Sequence, residues 1–308
     1  MLSIQRELGH GLMVEADYNG SHSKNLYVQT DVNRFPGDLL DGTQDRLNPN
    51  FSGIIFGRTI GVADGHYGTL MLSKKFTHSW QMRGIYTFGK ATDDISSNDN
   101  GTDNGEAVFD ALNVPFQHGL SDYNVAKRLT IDSVAEVPAG FFRNSFARKI
   151  LGGWRMSNVL VLQSGLPFSV FTSGSFNPAD PGSGDFNADG YNFDLPNAPP
   201  SGVVHTGNRS DFLKGFASAS DFPAPVPGQQ GNVGRNTFTG PGLANINTEF
   251  AKVMTWERFS LEFRADVFNL FNRVNLRQPD SDLASSLFGK STSQNLPRSW
   301  QFGLHLDF

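Results

Sequence analysis

The sequence contains no cysteine, no long apolar run and no excess of basic residues, and each absence removes a class of protein. Without Cys, the chain has neither a disulfide scaffold nor a Cys-ligated zinc site, which weakly favours a protein of the cell envelope. No apolar run approaches the roughly 18 residues of a transmembrane helix, whereas alternating transmembrane strands are nearly invisible to hydropathy. The net charge of -5 predicts that nucleic acid is not a partner.

The last ten residues of the chain alternate between apolar and polar side chains without an error. The apolar positions are Trp300, Phe302, Leu304, Leu306 and Phe308. Because successive side chains of a strand point to opposite faces, this segment has one apolar face, and a tilted strand of about ten residues crosses a bilayer core. It resembles the C-terminal strand of bacterial outer-membrane barrels, whose final Phe is read by the assembly machinery. The assembly signal predicted here comprises Phe302, Leu304, Leu306 and Phe308. The alternative is the edge strand of a soluble sandwich.

Eight further stretches alternate in the same way, so the sequence predicts an all-β protein of about nine long antiparallel strands. The content of 33 Gly and 27 Phe agrees with many strands and turns. The stretches are 2–8, 12–18, 68–76, 80–88, 123–137, 154–162, 246–254 and 259–267.

The connections between these stretches are sorted by length. Every second connection is short, at 9–11, 77–79, 138–153 and 255–257, and the others are long, polar and rich in Gly, Pro, Asn and Asp. All long loops therefore fall at one end, which is typical of an outer-membrane barrel with short periplasmic turns and long extracellular loops. A soluble sandwich has no reason to sort its loops in this way.

Aromatic and charged residues fit the same interpretation. The strand at 259–267 turns Glu262, Arg264 and Asp266 toward the lumen, and a register slip would expose them to lipid at a cost of roughly 2–4 kcal/mol for the Arg alone. Lys74 and Lys252 fall in apolar sets close to short turns, where a Lys snorkels to the interface. Three tryptophans lie beside short connections, where an interfacial aromatic girdle is expected: Trp80, Trp154 and Trp256. One further cation, Lys127, falls in an apolar set without an explanation.

Several motifs resemble the C-terminal portion of TonB-dependent outer-membrane receptors, particularly the Oar-like group. The clearest is Phe268-Asn269-Leu270-Phe271-Asn272, followed by Asn275 and Gln278-Pro279. Other segments recur in the same order in that group: Tyr18-Asn19-Gly20-Ser21, Tyr86-Thr87-Phe88-Gly89-Lys90 with Asp93-Asp94, Gly119-Leu120-Ser121-Asp122-Tyr123, Gly152-Gly153-Trp154, Gln163-Ser164-Gly165-Leu166-Pro167-Phe168, Gly234-Arg235-Asn236-Thr237 with Gly240-Pro241-Gly242, and Gln301-Phe302-Gly303-Leu304.

The resemblance implies a barrel of about 22 strands around a plug, with uptake of a scarce nutrient driven through the TonB complex. The sequence shows no export signal, plug or TonB-contacting segment. We therefore interpret residues 1–308 as the C-terminal part of such a barrel in the bacterial outer membrane, in contact with lipid. Its partners are expected to be the assembly machinery, an unidentified small ligand captured near Tyr191 and Phe193, and TonB only through missing N-terminal parts.

One local constellation predicts a metal site in the third long loop. Asp185, Asn187, Asp189 and Tyr191 occupy the alternating ligand positions of a calcium loop, and Gly190 permits its sharp turn. Pro196 replaces the bidentate Glu expected at the twelfth position, although Asp194 is available to contribute. The alternative is a solvated Asx turn. A second acidic run lacks ligand spacing and is interpreted as a polar loop: Asp93, Asp94, Asp99 and Asp103.

The sequence does not support a catalytic role, because it has no His-Glu-x-x-His helix, no Gly-x-Ser-x-Gly elbow and no phosphate-binding Gly loop followed by Lys. The sequence therefore predicts a transport and binding protein and no enzyme. Two alternatives remain: a self-contained surface β protein with an adhesive or structural role, and a degenerate gene fragment without activity. Heat-modifiable migration in detergent favours a closed barrel, and a soluble monomer without detergent contradicts the membrane interpretation.

Overall fold

The computed structural model describes residues 1–96, 109–202 and 208–308, and within them one antiparallel sheet contains the nine long strands that the sequence predicts. These strands are β1 (Leu2–Gly9), β2 (Leu12–Asp31), β3 (Ile55–Thr77), β4 (Trp80–Asp93), β6 (Lys127–Glu136), β7 (Trp154–Gln163), β10 (Leu243–Trp256), β11 (Phe259–Phe268) and β12 (Ser299–Asp307). Three short strands complete the numbering: β5 (Gly119–Leu120), β8 (Pro167–Phe168) and β9 (Phe238–Thr239).

The long strands are arranged as a meander, because each pairs antiparallel with the next long strand along the chain. The short β5 pairs with β4, and β8 pairs with β9 in a separate two-stranded sheet. β1 and β12 form the two edges, and over the described residues the sheet is open.

The register places every predicted apolar set on the same side of the sheet, here called the apolar face. Leu261 of β11 stands opposite Leu306 of β12 and Met254 of β10. One row continues across six strands through Ile246, Leu160, Ile131, Gly84, Leu72 and Val14. Because side chains alternate along every strand, the polar sets share the opposite side, here called the polar face.

Charges on the polar face pair with one another, as predicted for the strand at 259–267. Arg264 Nη2 lies 2.8 Å from Glu249 Oε2 and 3.4 Å from Asp266 Oδ2. Arg155 Nη2 lies 3.4 Å from Glu249 Oε1 and 3.3 Å from Glu262 Oε1. This network spans β7, β10 and β11, so three adjacent strands share their charges across the sheet.

The three lysines on the apolar face are accommodated in different ways. Lys74 donates to Thr77 O at 3.2 Å and lies 4.1 Å above the Trp80 ring, close to the turn as expected. Lys127 is the exposed first residue of β6, which explains the exception that the sequence left open. Lys252 also lies near a short connection, where its buried ammonium donates to Ile150 O at 2.7 Å.

The first long connection is shorter than predicted, because the strands on either side of it are longer. β2 and β3 remain paired as far as Asp31 and Ile55, although most of 20–65 reads as a polar loop. A strand of 20 residues is about twice what crosses a bilayer core, so the outer half of this hairpin extends past it.

The predicted strand at 123–137 begins later than the alternation indicates. β6 starts at Lys127, whereas Tyr123 lies in a turn and Val125 in the irregular segment that follows it. The reason is the buried Asn124, whose Oδ1 accepts from Ala91 N at 2.8 Å and from the Tyr67 hydroxyl at 3.1 Å. A side chain thus replaces the backbone partner of β4 at this point.

The longest of the short connections contains helical turns that the sequence did not predict. Between β6 and β7 lie a 3-10 turn (Ala139–Phe141) and helix α1 (Ser145–Leu151), which Asn144 caps by accepting from Phe146 N at 2.8 Å. A second helix, α2 (Arg209–Lys214), lies in the third long connection. Among the described residues, neither helix is long and apolar enough to cross a membrane.

The long connections form a layer with its own hydrophobic core, here called the loop cap and comprising the described parts of 32–54, 94–126, 164–242 and 269–298. The sequence indicated only polar loops there. Its core instead consists of Phe109, Phe168, Val170, Leu195, Phe212, Phe216, Phe222, Val233, Phe238, Leu276 and Phe288. The predicted sorting of long and short connections to opposite ends is confirmed.

Phe238 is the central ring of this core, and its removal should loosen the cap without disturbing the sheet. It is buried and lies 5.6–5.8 Å from the rings of Phe168, Phe216 and Phe222. We expect Phe238→Ala to cost about 3–5 kcal/mol through the cavity it leaves. Tryptic cleavage at Arg209 and Lys214 should accelerate, while tryptophan emission stays unchanged because all four Trp lie in long strands.

The matched control for this prediction is Phe271→Ala, in which an equally large but 77% exposed ring of the same cap is removed. Equal cleavage rates in the two variants would contradict a packed cap core.

Candidate functional site

The predicted calcium loop lies inside the loop cap and is buried. Asp185, Asn187 and Asp189 are each at most 2% exposed, and Asp194 is fully buried. This burial contradicts only the solvation of the Asx turn that the sequence left as the alternative, because the side-chain to backbone hydrogen bonds of such a turn are present. The four polar side chains therefore need partners that water does not supply.

The loop folds back on its own polar side chains. The Asp185 carboxylate accepts from Asp189 N at 3.2 Å and from Gly190 N at 3.0 Å, and Asp189 Oδ1 accepts from Tyr191 N at 2.8 Å. Gly190 has a φ of 81°, and a Cβ at this position would meet the Gln44 amide. The sequence pattern thus produces a tight turn with its carboxylates on the inside.

The carboxylates of this loop are electrostatically strained. Burial, followed by repulsion from Asp185 and Asp189, raises the pKa of Asp194 to about 8. Burial and repulsion from Asp189 raise the pKa of Asp185 to about 6. Gln230 donates to one oxygen of Asp194, and the other oxygen, Oδ2, has no hydrogen-bond partner. Three buried carboxyl groups thus crowd together, and one oxygen among them has no hydrogen-bond partner.

Two arginines from the first long connection approach the loop. Arg34 Nη1 lies 3.3 Å from Asp189 Oδ2, and the guanidinium stacks 4.3 Å above the Tyr191 ring. Arg46 Nη1 donates to Asp189 O at 3.0 Å. In the described part of the chain, no group of three or more His, Cys, Asp and Glu side chains is placed to hold a metal ion. A cation here would thus need Asn187 and main-chain oxygens as well as carboxylates.

A second buried cluster ties the third long connection of the cap to the second and to the end of β4. Arg235 Nη1 donates to Asp93 Oδ1 at 2.8 Å, and Nη2 donates to Ser96 Oγ at 2.7 Å and to Asp122 Oδ1 at 3.2 Å. Asn236 Nδ2 donates to Leu120 O at 2.7 Å. We call this cluster the Arg235 network.

Two carboxylates of the acidic run at 93–103 have partners in or beside this cluster. Asp93 pairs with Arg235, and Asp94 accepts from Val62 N at 2.8 Å and lies 2.8 Å from His118 Nδ1. Asp99 and Asp103 lie outside the described residues. The carboxylates of Asp93 and Asp94 therefore hold loops together, which explains why they lack ligand spacing.

Motifs that are distant in the sequence meet at this cluster through glycines. A Cβ at Gly119 would lie 2.6 Å from Arg235 O, so the two backbones approach closely only because residue 119 is Gly. Gly165 packs in the same way on the carbonyl of Gly240.

A cavity of about 480 Å³ adjoins the Arg235 network. Its walls include Phe168, Arg235 and Gln278 together with the stacked rings of Phe171 and Phe193, whose centroids are 4.1 Å apart. Phe193 was expected near a ligand and lines this cavity, whereas Tyr191 instead packs under Arg34. The combination of aromatic walls and a few polar groups is typical of small-ligand sites.

The predicted assembly residues lie together at the edge of the sheet. Phe302, Leu304 and Leu306 lie on the apolar face of β12 and are more than half exposed, and Phe308 follows the strand end directly. The Phe302 ring stacks with Trp300 at 6.0 Å and with Phe263 of β11 at 6.5 Å.

A nine-stranded meander with one continuous apolar face, paired charges on the other face and loops sorted by length defines an integral membrane protein of the β class. The family model described as outer membrane beta barrel domain matches residues 1–301. The chain belongs to this family, and its location is the bacterial outer membrane. No curated protein matches the chain.

Sequence reasoning missed Arg34, Arg46 and Gln230, which contact the acidic loop from distant connections. It noted Gly234-Arg235-Asn236-Thr237 only as a motif and assigned Arg235 no role. No local pattern marks these residues, because each pairs across more than 30 positions of the chain.

Replacing Arg235 tests whether the network holds the cap together. Arg235→Met leaves Asp93 buried without its charge partner, so we expect a loss of about 3–5 kcal/mol. Amide hydrogen exchange in 109–124 and 232–240 should accelerate, and adding Asp93→Asn should restore part of the protection because the unpaired charge is removed. Arg209→Met, at an exposed arginine of the same cap, is the control. Unchanged exchange in Arg235→Met would refute this role.

Proposed function

We propose that the chain is the C-terminal barrel portion of a TonB-dependent receptor of the Oar-like group, which takes up an unidentified nutrient. The observation that carries this proposal is that the motifs resembling the Oar-like group lie close together in space. Segments around Asp93, Asp122 and Arg235 are far apart in the sequence, yet they form one buried network in the loop cap. A chance resemblance of separate short motifs gives no reason for such a meeting.

The cavity beside the network is the proposed site of ligand capture. Phe171 and Phe193 offer apolar ring faces, and Gln278 offers its amide oxygen, since its Nε2 already donates to Pro167 O at 3.0 Å. Arg235 is already committed to Asp93 and Asp122, so it shapes the wall more than it offers a free charge. The ligand class favoured by this wall is an aromatic or amphipathic small molecule with hydrogen-bonding groups. The role is binding and transport, with no catalytic step.

The remaining partners follow from the same proposal. The apolar face contacts outer-membrane lipid, and β12 with Phe308 is read by the barrel-assembly machinery. Contact with the TonB complex is made by a plug and an N-terminal segment outside these 308 residues, which also gate the polar lumen.

The coding DNA upstream of Met1 gives the most direct test. We expect an uninterrupted frame that encodes an export signal, a plug and further alternating strands, because a receptor of this group closes its barrel with strands that precede β1. A stop codon close upstream would overturn the proposal. The chain would then be a self-contained surface β protein with an adhesive or structural role, or a decayed fragment.

We also propose that the acidic loop binds calcium through Asp185, Asn187, Asp189, Asp194 and the Tyr191 carbonyl. The three carboxylates are not grouped as a metal site in the described structure, so they must move together when the ion binds. The support is the unpartnered Oδ2 of the fully buried Asp194, together with the raised pKa values of Asp185 and Asp194. Calcium prefers such oxygen donors and tolerates irregular geometry. The ion would hold the third long connection against the cap core. The competing arrangement is that Arg34, with Arg46 beside it, supplies the positive charge.

Calcium should therefore protect the cap from proteolysis. We expect calcium chloride to slow tryptic cleavage at Lys214 relative to a chelator, whereas magnesium has little effect because it demands a smaller octahedral site. Asp194→Asn should abolish the protection, and Asp180→Asn, at an exposed Asp of the same connection, should retain it. Cleavage that is insensitive to calcium, or protection that survives in Asp194→Asn, would leave Arg34 as the counter-charge.

A further inference from the structure

The connection at 137–153 folds back onto the apolar face of the sheet. Trp154 of β7 and Lys252 of β10 stand opposite each other on that face, in line with Phe263 of β11. Trp154 Nε1 donates to Ile150 O at 2.9 Å, and Lys252 Nζ donates to the same oxygen at 2.7 Å and to Lys149 O at 2.5 Å. Two side chains of the lipid-facing surface thus bind the last carbonyls of helix α1.

These contacts place α1 at the membrane boundary. Carbonyls at a helix end have no partner within the helix, and a lysine on a lipid-facing surface needs acceptors. Each satisfies the other here, so α1 is held against the outside of the barrel wall. The connection lies at the end of the short turns, which is the periplasmic end of an outer-membrane barrel.

The outer surface of this connection is apolar. Phe141 and Phe146 are 80% and 72% exposed, and Ile150 and Leu151 are about half exposed. Four large apolar side chains on a short connection have no cover within the described residues. They continue the aromatic band formed by Trp154 and Phe263, whose rings meet edge to face at 6.1 Å.

The charged side chains of the connection are all positive. Arg143, Arg148 and Lys149 are exposed, and the stretch from Val137 to Arg155 contains no Asp or Glu, although the whole chain carries a net charge of -5. Basic residues interleaved with Phe, Ile and Leu are typical of segments that lie in the headgroup region of a membrane.

We propose that residues 137–153 form an interfacial anchor that binds anionic phospholipids of the periplasmic leaflet. Phe141, Phe146 and Leu151 enter the acyl region, and the three cations contact headgroup phosphates. The proposal depends on the outer-membrane location of the barrel and is independent of the transport proposal.

Lipid selectivity tests whether the three cations bind anionic headgroups. The full protein is purified from outer membranes and reconstituted into phosphatidylcholine vesicles. The vesicles contain either spin-labelled phosphatidylglycerol or spin-labelled phosphatidylcholine, and the motionally restricted fractions of the two labelled lipids are compared. We expect a preference for phosphatidylglycerol that falls by up to about fivefold for each of Arg143, Arg148 and Lys149 replaced by Gln. The matched control replaces Arg209, Lys214 and Lys290, three cations of the loop cap, by Gln. A triple variant with unchanged selectivity would overturn the proposal.

A measurement of the depth of residue 146 in the bilayer tests whether the apolar side chains enter the membrane, and it does not depend on the triple variant. The chain contains no Cys, so Phe146→Cys carries a single fluorophore, and Phe271→Cys serves as an equally exposed site in the cap. Brominated phospholipids should quench the label at 146 and spare the label at 271, while aqueous iodide should do the reverse. Iodide quenching at both sites would refute the anchor. Shielding of 146 from both quenchers that grows with protein concentration would assign this surface to a second copy, and would also overturn the proposal.

Discussion

The pairing of backbone amides and carbonyls between neighbouring strands is the constraint on which the rest of this structure depends. In hydrocarbon no water is present to satisfy these groups, so a membrane-spanning sheet must pair all of them within the protein. Pairing fixes the register, and the register decides which side chains meet lipid. The row from Ile246 to Val14 shows how six strands keep one face apolar throughout. Polar side chains within that face pair locally, since Thr248 Oγ1 donates to Asn158 Oδ1 at 2.8 Å.

The loop cap is stabilised by a different balance of forces. Its core packs Phe rings in irregular segments, and its buried ions join connections that lie far apart in the sequence. Arg235 donates to Asp93, Ser96 and Asp122 at once, whereas Asp194 in the acidic loop has one buried oxygen without a hydrogen-bond partner. The first cluster therefore supports the architecture, and the second is the one for which we propose a bound cation. This contrast distinguishes a structural cluster from a candidate site within the same layer.

The sheet was largely predictable from the sequence because period-two alternation is a local signal. The alternation at 300–308 and 259–267 indicates both the strands and their common face. It fails where side chains replace backbone partners, as Asn124 does before β6, and where polar residues continue a ladder beyond the membrane, as in β2. The cap was not predictable, because Phe212 or Phe238 in a Gly- and Pro-rich stretch carries no period. The alternating Asp and Asn residues of the acidic loop were visible, but their burial and the approach of Arg34 depend on tertiary structure.

The outer half of the β2–β3 hairpin joins the membrane-spanning sheet to the loop cap. About ten residues of β2 project past the bilayer, which corresponds to roughly 33 Å of strand, and the pairing with β3 shifts register around Leu26 within this stretch. Near the tip, Arg58 Nη2 donates to Thr30 Oγ1 at 2.9 Å and to Ala111 O at 3.0 Å. The second long connection, which also contributes Phe109 to the cap core, is thus attached directly to a strand of the wall. The wall and the cap are therefore held together by hydrogen bonds between them as well as by the continuity of the chain.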